Sequence, residues 1–407
     1  MANSVFDSID AIEGPKTVLS RVDLNSPVED GTVMDNRRFT RHAETVRDLA
    51  SADHRVALLA HQGRPGRDDF VTLEAHAEIL ADHINRPVGY CPHTVGADAQ
   101  EAVSALDSGE VLLLENVRMN EAELADRTPE EHAKSRFVTD LVAMGDVYVG
   151  DAYSTAHRSH ASIVGVPAAM DEVFAGRVMV AEYTANSAIQ SRTFDGRVTM
   201  VLGGTKADDL VRVMRGVEDT VDRFLLGGVI GELALRARGH DVGYDVDGTD
   251  LFDPIWAEHE ETIRGLLERY DDRLVLPVDL AYADDDGERA ERSVRTIRKD
   301  RQYLDVGSDT IERYASHIDG SAAVFVKGAL GVFEDERFSD GTIGVLQAIG
   351  NTNAFSVIGG GDTSRAIDLY GFDPDDFDHI SIAGGAYVRA LAGESLPGVE
   401  VLRRSSV

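Results

Sequence analysis

Val198-Thr199-Met200-Val201-Leu202-Gly203-Gly204-Thr205-Lys206 decides how the chain folds. A run of strand-forming residues ends in two glycines, and a helical stretch from about Asp208 then sets Leu210, Val211 and Met214 on one face. Strand, glycine turn and helix in that order form the unit from which parallel sheets are wound. The pattern recurs at 224–226 before Gly227-Gly228, at 323–326 before Gly328, at 355–358 before Gly359-Gly360-Gly361, and at 380–382 before Gly384-Gly385.

The first half keeps the rhythm with different punctuation. Residues 17–22, 55–60, 111–114 and 147–149 read as strands, but their loops carry arginine and polar residues where the second half has glycine runs. Residues 168–192 read as one or two helices, with 176–190 as the long stretch and no Pro/Gly linker. The expected class is α/β: two similar-sized domains, each a parallel β-sheet flanked by helices, joined by a helical hinge suited to bending. The expected divisions are 1–170, an interdomain helix at 171–192, and 193–393. A chain of 407 residues, 43% of them hydrophobic, supplies two cores of that size.

Forty basic against 72 acidic residues leave a net charge of −32, which disfavours nucleic acid as a partner because its phosphates need a basic face. Only Lys16, Lys134, Lys206, Lys299 and Lys327 are lysines. Scarce lysine with excess acid points to a halophilic source, since at molar salt the Debye length falls to roughly 3 Å and self-repulsion is screened. The acidic runs at 284–286 and 373–378 read as solvated turns. One cysteine, Cys91, excludes an internal disulfide, and Met-Ala-Asn-Ser lacks the pattern of a secretory signal. No apolar stretch reaches the roughly 18 residues that span a bilayer. A cytoplasmic location without a membrane partner is expected.

Strands that end in glycine and open a helix collect unpaired N–H groups at the positive end of a helix dipole, which suits phosphate. Gly359-Gly360-Gly361-Asp362-Thr363 adds an aspartate able to reach phosphate-bound magnesium, although a tight turn with an Asp or Thr cap explains the same residues. Lys206 is a candidate for the transferring phosphate, and both Lys206 and Lys327 adjoin glycine turns. The chain lacks a P-loop, a Gly-x-Gly-x-x-Gly after a strand, zinc spacing and a nucleophile elbow. Those absences weigh against a P-loop nucleotidase, a dinucleotide dehydrogenase and hydrolase chemistry. In the first half, parallel neighbouring strands gather Arg38, His61, Arg64, Arg118 and Arg158 at one carboxyl edge, where arginine forks grip phosphate and carboxylate. A single arginine in so acidic a chain is ordinarily a surface ion-pair partner; five strand-end basic groups are harder to read that way.

Order and spacing of several stretches agree with one family. They are Arg21-Val22-Asp23-Leu24-Asn25-Ser26-Pro27, His61-Gln62-Gly63-Arg64-Pro65, Leu113-Leu114-Glu115-Asn116-Val117-Arg118 and 151–166 in the first half. In the second they are Leu202-Gly203-Gly204-Thr205-Lys206, Leu276-Pro277-Val278-Asp279, Gly331-Val332-Phe333-Glu334, 359–363 and 396–399. The chain resembles phosphoglycerate kinase over essentially its full length. The resemblance implies reversible transfer of the ATP γ-phosphoryl group to the carboxylate of 3-phosphoglycerate, with Mg2+ as cofactor and these two small molecules as partners of a monomer. Carried to the matching positions, it implies that Asp23, Leu24, Asn25, Arg38, His61, Gln62, Gly63, Arg64, Arg118 and Arg158 hold the phosphoglycerate. Gly203, Gly204, Lys206, Glu334, Gly360, Gly361, Asp362 and Thr363 would hold the nucleotide, with Glu334 at the ribose and Asp362 at the metal. Arg38 and Lys206 are the expected catalytic pair, and residues 394–407 are expected to return to the first domain.

Departures from the family pattern fall in the second half. Leu210 stands where many members carry a second lysine, and Lys327-Gly328-Ala329 where they have Asn-Gly-Pro. Lys327 either restores a cation at the nucleotide phosphates or points to solvent. Ala383-Gly384-Gly385-Ala386-Tyr387 replaces the usual Gly-Gly-Gly-Ala-Ser and loses its hydroxyl. These departures motivate an alternative, a catalytically impaired nucleotide- and anion-binding homologue. His42, His54 and His76 read as surface or packing residues, and His157 as a structural neighbour of Arg158. A halophilic chain of this charge is expected to lose unfolding midpoint as KCl is lowered from molar to about 0.1 M, followed by circular dichroism; an unchanged midpoint removes that reading.

Overall fold

The computed structural model describes residues 5–191, 193–246 and 248–403. Thr17–Arg21, Val111–Leu114, Val147–Gly150 and Val198–Leu202 are buried at every position. Strands buried on both faces belong inside parallel sheets covered by helices on each side. The first sheet is all parallel, in the order Val88–Cys91, Val111–Leu114, Arg55–Leu59, Thr17–Arg21, Val147–Gly150, Val173–Ala175. The second, also parallel, runs Leu274–Val275, Arg223–Leu226, Val198–Leu202, Ala323–Lys327, Phe355–Gly359, His379–Ile380.

Each sheet reverses its winding once. In the first, the reversal lies between Thr17–Arg21 and Val147–Gly150; in the second, between Val198–Leu202 and Ala323–Lys327. Ligands of such sheets bind outside the carboxyl ends of the strands at that reversal. The chain divides into two compact units, the described residues of Met1–Thr184 with Ser395–Val407, and Ala185–Glu394. The division falls within helix Arg177–Ser191.

Two expectations about elements need correction. The segment 171–192 is not helical throughout: Val173–Ala175 forms the edge strand of the first sheet, paired with Tyr148, Val149 and Gly150, and the helix starts only at Arg177. Three apolar residues carry no period of their own, so the open sheet edge decides their state. A three-stranded antiparallel sheet of Arg289–Ser293, Asp279–Ala283 and Tyr303–Val306 was also not expected. Arg-Ala-Glu-Arg-Ser has no strand-like alternation to announce it. The run 284–286 does form a turn there, with Asp284 Oδ1 accepting from the N–H groups of Asp286 and Glu288 at 3.0 Å each.

Helix Arg37–Ser51 begins at Asn36, whose side chain accepts the Arg38 N–H at 2.9 Å, and it buries Phe39, Val46 and Leu49 against the first sheet. Each such side chain contributes about 1.5–3 kcal/mol, so the start of the helix, with Arg38 in its first turn, is firmly placed. At the other end of the chain, helix Pro397–Arg403 packs on the first unit: Gly398 donates to Ala156 O at 2.8 Å, and a methyl on it would meet Ala156 Cα at 2.9 Å. Residues 404–407 of the segment expected there lie outside the described residues.

His42, His54 and His76 are all buried. His42 Nε2 accepts the Asp23 N–H at 3.2 Å, and its Nδ1–H donates to Asp151 Oδ2 at 2.7 Å. Asp151 Oδ1 accepts from the N–H groups of Val178 and Met179 at 2.9 and 3.2 Å, capping helix Arg177–Ser191. One buried carboxylate thus braces two helices and, through His42, the backbone of Asp23. Asp151→Ala is expected to cost about 1–3 kcal/mol in urea unfolding, because it strands buried donors; a change within about 0.5 kcal/mol would contradict that role.

Candidate active site

In the first unit the strand-end loops meet at Asp23, two residues beyond Thr17–Arg21 and fully buried. Ser154, from the loop after Val147–Gly150, donates to its carboxylate, as does the Asn25 N–H at 3.0 Å. Arg38 Nε stands 3.4 Å from Oδ2 and His61 Nδ1 3.8 Å from Oδ1. Burial works to raise this carboxyl, but the Arg38 charge and the Ser154 hydrogen bond outweigh it and hold Asp23 well below the ordinary carboxylate range.

Arg21 lies beneath, 1% exposed, donating to Ser162 Oγ at 2.9 Å and contacting His61 Nδ1 at 3.1 Å. A guanidinium only donates, so Nδ1 of His61 accepts and Nε2 carries the hydrogen. Burial, Arg21, Arg118 and Arg158 push His61 well below its usual value against the pull of Asp23, so the imidazole is neutral. Arg118 is buried, donates to Gly63 O, and is lowered to about 10 by burial and then by Arg158 and Arg21. Arg158 moves down through burial and then Arg64, which is itself exposed. Glu123, fully buried, accepts from Ser162 N–H at 2.8 Å and Oγ–H at 2.7 Å, and burial raises its carboxyl. Positive charge exceeds the buried negative charge of Asp23 and Glu123, and an anionic ligand would relieve the repulsion.

Asp23, Asn25, Arg38, His61, Arg118 and Arg158 therefore come together, with Arg64 at the rim. Leu24 does not join them: its side chain is fully buried in the core. Gln62 is also enclosed, with its amide bonded to Ser26 N and O at 2.8 and 2.9 Å, Asp69 O at 3.0 Å and His76 Nε2 at 3.0 Å. Gly63 adopts φ +62°, and a methyl there would lie 2.3 Å from Asp69 O; its N–H donates to Asn25 Oδ1 at 2.8 Å. Gln62 and Gly63 hold the shape of the site for others. Sequence reasoning missed Arg21, His42, Glu123, Ser154 and Ser162 as supports. Only Arg21, a charge ending an apolar strand, carried a readable signal.

In the second unit, loops after neighbouring strands touch backbone to backbone. A methyl on Gly203 would lie 2.2 Å from Ala329 O, and one on Gly328, at φ +84°, 2.3 Å from Gly203 O. The N–H groups of Gly203 and Gly204 donate to Lys327 O and Ala329 O at 2.8 and 2.7 Å. These donors are spent closing the loops, so they are not the phosphate donors the glycine pattern implied. Unspent donors lie instead in the first turns of helices Ala207–Gly216 and Gly361–Leu369. Gly360, at φ +108°, and Gly361 open the latter.

Lys206 is exposed at the start of helix Ala207–Gly216. Lys327 is half-buried and does not point to solvent: its Nζ lies 3.6 Å from where a methyl on Gly360 would be. Burial lowers its ammonium, Asp362 and Asp209 oppose that, and Lys206 adds to it, so these four charges share one locality. Asp362 is exposed, and no cluster of three His, Cys, Asp or Glu able to cage a metal occurs among the described residues. Thr363 is buried with its hydroxyl 3.4 Å from Gly359 O, and Glu334 is exposed, 3.7 Å from Arg365. Leu210 is buried in the helix interface. Tyr387 is fully buried, donates to Val326 O at 3.1 Å and fills the space over Gly359, where a methyl would lie 2.0 Å from its ring. Beside the loops lies a cavity of about 320 Å3 reaching from Gly204 and Gly228 to Val332.

Residues 9–394 match a family model described as phosphoglycerate kinase. The phosphoglycerate kinase of Halorubrum lacusprofundi is 60% identical over 404 residues, 99% of each chain, and that of Haloarcula marismortui 58% identical over 400 residues, 98% of this chain and 100% of the relative. Among solved structures, phosphoglycerate kinase from Pyrococcus horikoshii OT3 superposes with a TM-score of 0.91 at 32% identity, covering 98% of this chain and 99% of that one. The enzyme from Coxiella burnetii gives 0.80 at 28% identity, covering 99% and 100%.

The position of Asp23 has a pH consequence. Its native carboxyl titrates below its reference value of 3.8, so its stabilising contribution is full above that value and is lost as pH falls through the lower native one. The stability gap between the parent chain and Asp23→Asn is expected to be constant near neutral pH and to shrink below about pH 4, by urea unfolding in molar KCl. A gap independent of pH would contradict the charge environment described.

Proposed function

The chain belongs to the phosphoglycerate kinase family, and on that premise we propose which of its residues carry the reaction. That reaction, part of glycolysis and gluconeogenesis, transfers a phosphoryl group reversibly between ATP and the carboxylate of 3-phosphoglycerate, giving 1,3-bisphosphoglycerate and ADP. Halophily accords with the Halorubrum and Haloarcula relatives.

The observation that carries the assignment is the excess of positive charge crowded around Asp23. Arg64, Arg118, Arg158 and the Nε2–H of neutral His61 bind the anionic groups of phosphoglycerate, Asn25 contributes a polar contact, and Asp23 aims Arg38. The attacking carboxylate needs no general base, because such acids ionise at roughly pH 3–4. A histidine held neutral as a donor fits that requirement better than one poised to take a proton. The unit of residues up to 184 together with 395–403 is the phosphoglycerate half, and 185–394 the nucleotide half.

Lys206, Lys327 and the first turns of helices Ala207–Gly216 and Gly361–Leu369 receive the nucleotide phosphates, and Glu334 the ribose. Lys327 compensates for the cation missing at Leu210. Asp362 would hold Mg2+ together with nucleotide phosphate oxygens, since an exposed carboxylate outside any described cluster of three possible metal ligands suits an ion that arrives with its own ligands. The ion supplies neutralisation of phosphate charge. Arg38 and Lys206 belong to different units, so in-line transfer requires a closure that brings both to one phosphoryl group and keeps water from the acyl phosphate. The proposed actor is a cytoplasmic monomer with two small-molecule substrates; no helix among the described residues is long and apolar enough to cross a membrane. With Arg38, Lys206 and Asp362 all present, nothing favours an impaired homologue.

A coupled assay with ATP, Mg2+ and 3-phosphoglycerate in molar KCl tests the reading. Arg38→Ala is expected to lower kcat by on the order of 10³-fold while ATP affinity changes by less than about twofold. Ordinary turnover in that variant would remove Arg38 from its role, and a parent chain without turnover would remove the function.

A further inference from the structure

Glu232 is an ionisable group in the second unit that the reaction leaves unused. It sits on helix Gly228–Ala237, half-buried in the wall of the 320 Å3 cavity. Gly204 and Thr205, next to Lys206 of the proposed phosphate site, line that cavity, and Val229, Phe252, Leu304, Leu330 and Val332 continue its wall. An apolar slot leading away from a phosphate site is the place for a nucleobase, and one polar group in its wall fixes which base enters.

The Glu232 carboxyl has no hydrogen-bond or ion-pair partner among the described residues. Charged groups on the elements packed around it are engaged elsewhere or point outward. On strand Tyr303–Val306, Asp305 pairs with Arg289 at 3.0 Å and accepts the Gly341 and Val306 N–H groups, and Tyr303 donates to Arg298 O. On helix Asp253–Tyr270, Asp253 is held by Arg236, His259 faces Asp208 at 3.4 Å and Arg264 pairs with Glu260, while Glu258, Glu261 and Glu268 are exposed. Helix Ala207–Gly216 adds Asp208 and Asp209, whose neighbours are His259 and Lys327, and exposed Arg212 and Arg215. Tyr244 is the remaining titratable wall residue.

We propose that the Glu232 carboxyl reads the base edge, selecting a purine that presents a donor beside an acceptor, as adenine does with its amino group and adjacent ring nitrogen. With nothing to stabilise its charge, burial pushes the carboxyl up to about 8, so at neutral pH it carries a proton and can donate as well as accept. The ionised form offers two acceptors and matches guanine, which presents a ring N–H beside an amino group. Base preference therefore turns with pH: affinity for adenine falls above about pH 8 and affinity for guanine rises.

The proposal rests on the nucleotide reading of this unit, so tripolyphosphate is measured beside the nucleotides. Binding of MgATP, MgGTP and magnesium tripolyphosphate to the full chain in molar KCl is compared at pH 7 and 9 for the parent, Glu232→Gln and Glu232→Leu. The parent is expected to lose about tenfold in ATP affinity between these pH values and to gain for GTP. Glu232→Gln, whose amide keeps the donor and acceptor, should rescue ATP binding at both, and Glu232→Leu should lose about tenfold at pH 7. Tripolyphosphate should bind all three alike. Parental ATP affinity and pH profile in Glu232→Leu overturn base reading while leaving the nucleotide site intact; a parent that binds neither tripolyphosphate nor ATP overturns that site and the proposal with it.

A second measurement needs no ligand. A carboxyl raised from 4.5 to about 8 on folding weakens the native state progressively as pH rises between those values. The melting temperature of Glu232→Gln should therefore exceed that of the parent by a margin that grows from pH 5 to 8, and a constant margin overturns the proposal.

Discussion

The contact on which the first unit depends is the buried carboxylate of Asp23 among cations. Arginines are brought to the carboxyl edge of a parallel sheet, where they repel each other and have lost much of their water. Asp23 offsets part of that cost at Arg38, and Ser154 and the Asn25 N–H donate hydrogen bonds to its carboxylate. What is left uncompensated is available to an anionic substrate. The same arrangement keeps His61 neutral, with its free N–H directed by the Arg21 contact at Nδ1. In the proposed site, binding and orientation would both follow from one imbalance of charge.

The second unit meets the phosphate problem differently. Its glycines allow three strand-end loops to lie against each other with no side chains between them, and the N–H groups of Gly203 and Gly204 stitch those loops together. Under the proposed function, helix N-termini and Lys206 and Lys327 remain to receive the nucleotide. Lys327 emerges from the end of a central strand, so its head is carried to the Gly360 turn by the sheet itself. In the proposed site this strand-end cation would stand in for one that Leu210 does not supply, and its partial burial lowers its ammonium.

A strongly acidic chain holds a strand-end cluster of positive charge in its first unit and two lysines beside two aspartates in its second. Many half-buried or exposed arginines pair with the acidic surface, as Arg177 does with Asp10 and Asp48 at 2.6 and 2.9 Å and Arg292 with Asp300 at 2.6 Å. Pairs of that kind are worth little in water and less in salt. Arg21 and Arg118 differ because they are buried, where salt screens them weakly.

The repeated strand–glycine–helix pattern determined the α/β class, the two halves and the strand-end residues, because each of those is a local property of 10 to 20 residues. It also put Asp23, Arg38, His61, Lys206 and Asp362 at loops where chemistry is possible. The sequence could not tell a ligand from a brace: Gln62 and Gly63 stand in the same motif as His61, yet only the fold reveals that their polar groups are already taken. Val173–Ala175 became a strand because Val147–Gly150 offered an open edge, and Tyr387 lost any surface role because Gly359 left a hole that a ring could fill. Which donors are spent, which cations share a site and which carboxyl stands alone in a cavity are set by residues far apart in the chain, since burial and Coulomb interaction act through space and not along the sequence.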